Sequence, residues 1–153
     1  MYQRVLVPLD GSPVAEAILP FIEQIAGPLD MEIMLLRVVP VSSFLDVVAM
    51  AKEVQAGEPI LKELEAQGYL EPLVETLKAK GVGVGARVRI GDPATEIVAA
   101  AQEIGADLIA MTTHGRSGLG RLLFGSVAEA VLRASPIPVF LLRMTEAAFE
   151  RAA

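Results

Sequence analysis

Five short apolar runs alternate with stretches of helical spacing, and this alternation constrains the fold more than any other feature of the chain. Residues 4–9 (RVLVPL), 31–38 (MEIMLLRV), 107–111 (DLIAM) and 138–142 (PVFLL) are nearly continuous apolar runs, the pattern of strands covered on both faces. In residues 82–90, Val84, Ala86, Val88 and Ile90 alternate with Gly85, Arg87 and Arg89, which predicts a less covered strand near a sheet edge. Ser12-Pro13 supplies a helix cap and a proline at the first helical position, and Ala15, Ile18, Leu19, Ile22 and Ile25 follow at helical spacing up to Gly27-Pro28. Pro20 predicts a kink in that helix. Residues 39–57 are too many for a structureless connection, and Phe44, Val47, Val48, Ala51 and Val54 repeat there with helical period. A long helix over 58–80 closed by Gly81, a helix opened by Asp92-Pro93, and one over 126–133 complete the pattern. Strand and helix alternating in this way predict an α/β fold: a mainly parallel, doubly wound sheet with helices on both faces and a ligand at the carboxyl ends of the strands.

At 153 residues the chain is expected to form one domain over 1–153, and its 53% apolar composition with mean hydropathy of +0.51 suits a well-covered core. No apolar run approaches the roughly 18 residues of a membrane helix, and the N-terminal run is too short for a signal peptide, so a cytoplasmic location without membrane partners is expected. Zero cysteines exclude disulfides, thiolate nucleophiles and iron–sulfur clusters, and a single histidine excludes a multi-histidine metal site. The net charge of −6 and pI near 4.8 oppose non-specific attraction to nucleic acid, so any anion bound must be held locally.

The place for such an anion is the segment from Thr112 to Ser126. Gly115, Gly118 and Gly120 allow the backbone to turn its amides toward one point, and Gly125-Ser126 opens a helix whose free amides and dipole favour a phosphate. Ser126 with Glu129 equally fits a capping box, in which the hydroxyl serves its own helix. Arg116 and Arg121 add local positive charge. His114 is either a loop residue or a general base. Gly81, Gly83 and Gly85 run from a helix into a strand, the reverse of a dinucleotide fingerprint, and no lysine follows Gly125 as a P-loop would require.

The run MTTHGRSGLGRLLFGSVAEAVLR, with VPLDGS after the first strand and SPIPV before the last, resembles the universal stress protein family over essentially the whole chain. Nucleotide-binding members of that family carry Gly-x-x-Gly, nine residues, then Gly-Ser or Gly-Thr. Here Gly115, residues 116–124 and Gly125-Ser126 match, and Thr112 stands where the first glycine would be. The resemblance implies a five-stranded parallel sheet in the order 3-2-1-4-5, an adenine-nucleotide alpha-hydrolase-like architecture, and ATP, with Mg²⁺, as cofactor. Carried over by position, it implies that Pro8, Leu9, Asp10 and Val38 surround the adenine and ribose and that Met111 and Thr112 continue that wall. Gly115, Arg116, Gly118, Gly125, Ser126 and Val127 would receive the phosphates. Asp10 would meet a ribose hydroxyl, the adenine amine or Mg²⁺; its other reading is a turn-forming residue in Asp-Gly-Ser. The resemblance also implies a homodimer paired through the last strand, at Val139, Phe140, Leu141 and Leu142. A nucleotide-regulated, dimeric signalling module is the function expected. The alternatives are a slow ATPase or phosphotransferase, in which His114 or Asp10 orients water and Arg116 stabilises charge, and a dimeric interaction protein that binds no nucleotide.

Overall fold

The structure, a computed structural model, describes residues 1–114 and 125–144. Five strands, β1 (Arg4–Leu9), β2 (Glu32–Pro40), β3 (Val84–Gly91), β4 (Leu108–His114) and β5 (Val139–Met144), form one sheet in the order β3-β2-β1-β4-β5 with every pairing parallel. Strand order therefore reverses at β1, which lies between β2 and β4, and the order implied by the resemblance is the one observed. The three central strands are covered on both faces, which is why their sequences read as continuous apolar runs. β3 is an edge strand, as its alternation predicts, and β5 is the other edge.

The pleat divides the core into two layers. Val5, Val7 and Leu9 of β1 face Ala15 of α1 (Pro13–Glu16), Leu19 and Ile22 of α2 (Leu19–Leu29), and Leu70 and Leu77 of α4 (Leu61–Ala79). Leu6 of β1 and Leu36 and Val38 of β2 face the other way, toward Ile97 and Ala101 of α5 (Pro93–Glu103) and Ala128 and Val131 of α6 (Ser126–Ala134). The remaining helix, α3 (Phe44–Gln55), has no buried residue, and Phe44 and Leu45 are 79% and 76% exposed. Its apolar period is real, but of those positions only Val48 is even half-buried, and polar contacts tie the helix to α4, Asp46 pairing with Lys62 at 2.8 Å.

Local signals fixed several boundaries and missed others. Ser12 and Asp92 cap α1 and α5, their side chains accepting from the amides of Ala15 and Thr95. Pro20 does not kink one helix; the segment divides into α1 and α2, and Pro20 lies in the first turn of α2, where its missing N–H costs nothing. That helix runs through Gly27-Pro28 to Leu29 and stops at Asp30, whose φ of 53° is left-handed. α4 begins at Leu61, later than predicted, and tolerates Pro72 in its interior. At the amino end of the sheet the Asp107 carboxylate accepts from the amides of Gln3 and Arg4 at 2.6 and 2.9 Å, tying β1 to the entry of β4. Among the described residues no helix is long and apolar enough to cross a membrane.

Candidate nucleotide cleft

A cavity of about 330 Å³ opens at the carboxyl ends of β1, β2 and β4, beside the point where strand order reverses. Crevices of this size in this position are where doubly wound sheets hold ligands. Its walls follow from the two core layers. Pro8 and Leu9 end β1, Val38 and Pro40 end β2, and Met111 and Thr112 come from β4, while Pro93 and Ile97 of α5 close one side. Gly125, Ser126, Val127 and Ala128 bring the start of α6 to the opening. Leu9, Val38, Ile97 and Met111 are buried, so the floor is apolar and suits a planar ring.

The polar groups are few and differ in kind. Asp10 Oδ1 accepts from the amide and the hydroxyl of Ser12 at 2.9 and 2.5 Å, the turn role foreseen for it in Asp-Gly-Ser. Gly11 follows with φ of 87°, a left-handed conformation that lets the chain turn directly into α1. Arg37 reaches the rim of the cleft and donates through Nη1 to the Val38 carbonyl at 2.9 Å.

Gly125 is the N-cap of α6, and no side chain among the described residues caps that helix. Ser126 is its first helical residue and is exposed, while Glu129 pairs with Arg133 at 2.6 Å rather than reaching back. The capping box allowed by the Ser126–Glu129 spacing is thus not formed, because the helix starts at Ser126 and not after it. Among the described residues the amides of the first turn of α6, which borders the cleft, consequently have no side-chain acceptor, an arrangement that attracts an anion.

Of the twelve residues implied by the resemblance, Pro8, Leu9, Asp10, Val38, Met111, Thr112, Gly125, Ser126 and Val127 line this one cavity. Gly115, Arg116 and Gly118 lie outside the described residues, as do Arg121 and the His114 side chain. β4 is longer than the sequence suggests: it continues past Met111 through His114, with Thr112 opposite Leu142 and Thr113 opposite Arg143. Thr112 therefore sits on a strand rather than in a loop, and its half-buried side chain forms part of the wall. Sequence reasoning missed Ala15, Arg37, Pro40, Pro93, Ile97 and Ala128 as lining residues. Only Pro93 carried a usable signal, since a proline opening a helix just after a strand marks the carboxyl end of the sheet.

Comparison with known proteins agrees with this fold. A family model described as "Universal stress protein family" matches residues 1–143. Universal stress protein MJ0531 of Methanocaldococcus jannaschii is 36% identical over 143 residues, spanning 94% of this chain and 83% of that protein. MJ0577 from the same organism is 32% identical over 155 residues, spanning 94% and 96%. The solved structure of MJ0577 superposes with a TM-score of 0.76 at 31% identity, covering 95% of this chain and 98% of that one. A universal stress protein of Archaeoglobus fulgidus solved in complex with dAMP shares the fold, with a TM-score of 0.65 at 19% identity over 92% of this chain and 97% of that one.

Proposed function

This chain belongs to the universal stress protein family, and we propose that it is an ATP-binding member, a single-domain module that acts as a nucleotide-regulated dimer in the cytoplasm. The observation that carries this reading is the start of α6: first-turn amides that no side chain among the described residues caps border an apolar cleft at the reversal of strand order. The residues present fit a nucleotide. An added Cβ at Gly125 would meet nothing within 4 Å among the described residues, so the backbone there leaves room for a phosphate. Pro8, Val38 and Met111 offer the apolar slot for the base. Thr112 supplies a hydroxyl at the rim in place of a glycine's bare backbone, and it stands in the strand wall rather than across the opening.

Asp10 is the only carboxylate lining the cleft among the described residues, and no group of three or more potential metal ligands is found among them. Mg²⁺ would accordingly arrive with the phosphates, with Asp10 as its one protein carboxylate. Catalytic equipment is sparse: beyond Asp10, the described cleft residues include no acid, histidine or lysine, which favours retention of nucleotide with hydrolysis that is at most slow. The proposed dimer uses β5, an edge strand whose Val139, Phe140, Leu141 and Leu142 are only half-buried here; pairing would cover that edge.

Isothermal titration of nucleotide-free protein with ATP and Mg²⁺ tests the binding reading, and sedimentation of the same sample tests the dimer. Micromolar or tighter binding by a dimer is the expected result. A chain that neither co-purifies with nucleotide nor titrates with it would instead be a dimeric interaction protein.

A further inference from the structure

The edge strand β3 pairs with β2 along one side, and among the described residues no strand lies along the other. The Ile33 amide donates to the Gly83 carbonyl at 2.8 Å, and Ile33 is in register with Val84. In a parallel ladder every second residue of a strand serves a given neighbour, so Gly83, Gly85, Arg87 and Arg89 serve β2. The N–H and C=O groups of Val84, Ala86 and Val88 therefore point away from the sheet, where no strand receives them. Little blunts this edge. β3 is eight residues long and has no proline, and its two arginines are drawn toward α5, Arg87 to Glu103 at 3.3 Å and Arg89 to Glu96 at 2.6 Å.

Between β3 and α4 runs a groove of about 490 Å³. Its floor is apolar, formed by Leu70, Val74, Val84 and Val88, and its outer wall is one stripe of α4 in which Glu63, Gln67, Glu71 and Glu75 recur every four residues. Lys78 pairs with Glu75 at 3.7 Å, and Arg87, which also borders the groove, is engaged by Glu103. Glu63 and Glu71 have no cation within ion-pair distance among the described residues. With Arg87 balanced from α5, the groove holds three carboxylates against the one ammonium of Lys78, a net charge of −2. Four helix residues rise about 6 Å and two strand residues about 6.6 Å, so a strand laid beside β3 would set alternate side chains opposite successive members of the α4 row.

We infer that β3 is the docking edge for an extended basic segment of a protein partner, which adds to the sheet as a further strand. Its backbone pairs with the outward groups of Val84, Ala86 and Val88, which supplies affinity without regard to sequence. Lysine or arginine at alternate positions lays its stem over Val74, Val84 and Val88 and its charge beside Glu63 and Glu71, which selects a basic segment. A second copy of this chain fits poorly, since it would bring its own glutamate row to the same groove and carries a net charge of −6. This edge shares no lining residue with the nucleotide cleft and does not depend on its occupancy.

The test is an NMR titration of the ¹⁵N-labelled full chain with the end-blocked peptide KTKVKTK, with its acidic counterpart ETEVETE, and with KTKVKTK methylated at every backbone amide, which keeps the charges and cannot pair with an edge. Saturable shifts of the Val84, Ala86 and Val88 amides are expected with the first peptide alone. Affinity should weaken about twofold to fivefold in Glu71→Gln, and about tenfold in Ala86→Pro, whose missing N–H faces outward and spares the pairing with β2. No saturable shift with KTKVKTK, shifts confined to residues away from β3, an equal response to either control peptide, or variants that titrate like the wild type would overturn the inference. Concentration-dependent shifts of the same three amides without peptide would overturn it too, by giving the edge to a second copy. Should Ala86→Pro not fold, Glu71→Gln and the methylated peptide decide.

Discussion

Replacement of Gly125 by aspartate should move stability and nucleotide affinity in opposite directions. Gly125 has φ of −61° and ψ of 155°, a conformation open to any residue, and an added Cβ meets no described atom within 4 Å. Aspartate at the N-cap would accept from the idle amides of α6, gaining a few tenths of a kcal/mol over glycine. Its charge at the helix amino end contributes about 0.3–1 kcal/mol more, and the lost freedom of the unfolded chain about 0.4–1 kcal/mol. Together these give about 1–2 kcal/mol, or a rise in melting temperature of about 2–8 °C for a chain of this length. The same carboxylate would occupy the amides proposed for the phosphates and repel them. Like charges at about 4 Å cost up to about 4 kcal/mol near a protein surface, so an affinity loss of about 100-fold or more is expected even after screening. Calorimetric melting and ATP titration of Gly125→Asp are the assays. A variant that melts higher and still binds ATP as the wild type does would show that the start of α6 is not the phosphate site.

Two other consequences concern the fold. Asp107 has its pKa lowered by bonds from the Gln3 and Arg4 amides, Asp92 by those from Thr95, and Asp46 by Lys62, Ser42 and Ser43. Groups whose folded pKa is depressed lend stability that is complete above the usual carboxylate range and is lost as pH falls through the folded values. Melting temperature should therefore hold down to about pH 5 and fall toward about pH 2.5, with a shallower fall in Asp107→Asn; equal slopes in variant and wild type would remove Asp107 from the account. Leu6 is fully buried between β1 and the α5 and α6 layer, and Leu6→Ala should cost about 2–5 kcal/mol in denaturant unfolding, whereas a cost under about 1 kcal/mol would mean that this layer is not close-packed.

What could be read from the sequence, and what could not, divides along physical lines. Strands buried on both faces announce themselves because nearly every residue must be apolar, and Ser12-Pro13 and Asp92-Pro93 announce helix starts because few residue types suit those positions. Arg37 gave no signal: a cation in the second strand reads like any residue at a strand end, and only the pleat and α4 show that it is half-buried between two cavities. α3 shows the converse, since its helical period was legible while its exposure, with no residue fully buried, was not. Ser126 lies between these cases. The sequence allowed it two roles, helix cap or phosphate ligand, because both use the same hydroxyl next to the same amides. The structure removes the first, for Gly125 is the N-cap and the exposed Ser126 hydroxyl caps nothing among the described residues. Ser126→Ala should then change stability by no more than about 0.5 kcal/mol, as at an uninvolved surface site, while weakening ATP about threefold to tenfold through one lost hydrogen bond. A loss of about 1 kcal/mol in stability with ATP affinity unchanged would return Ser126 to the capping role and leave the phosphates to the amides alone.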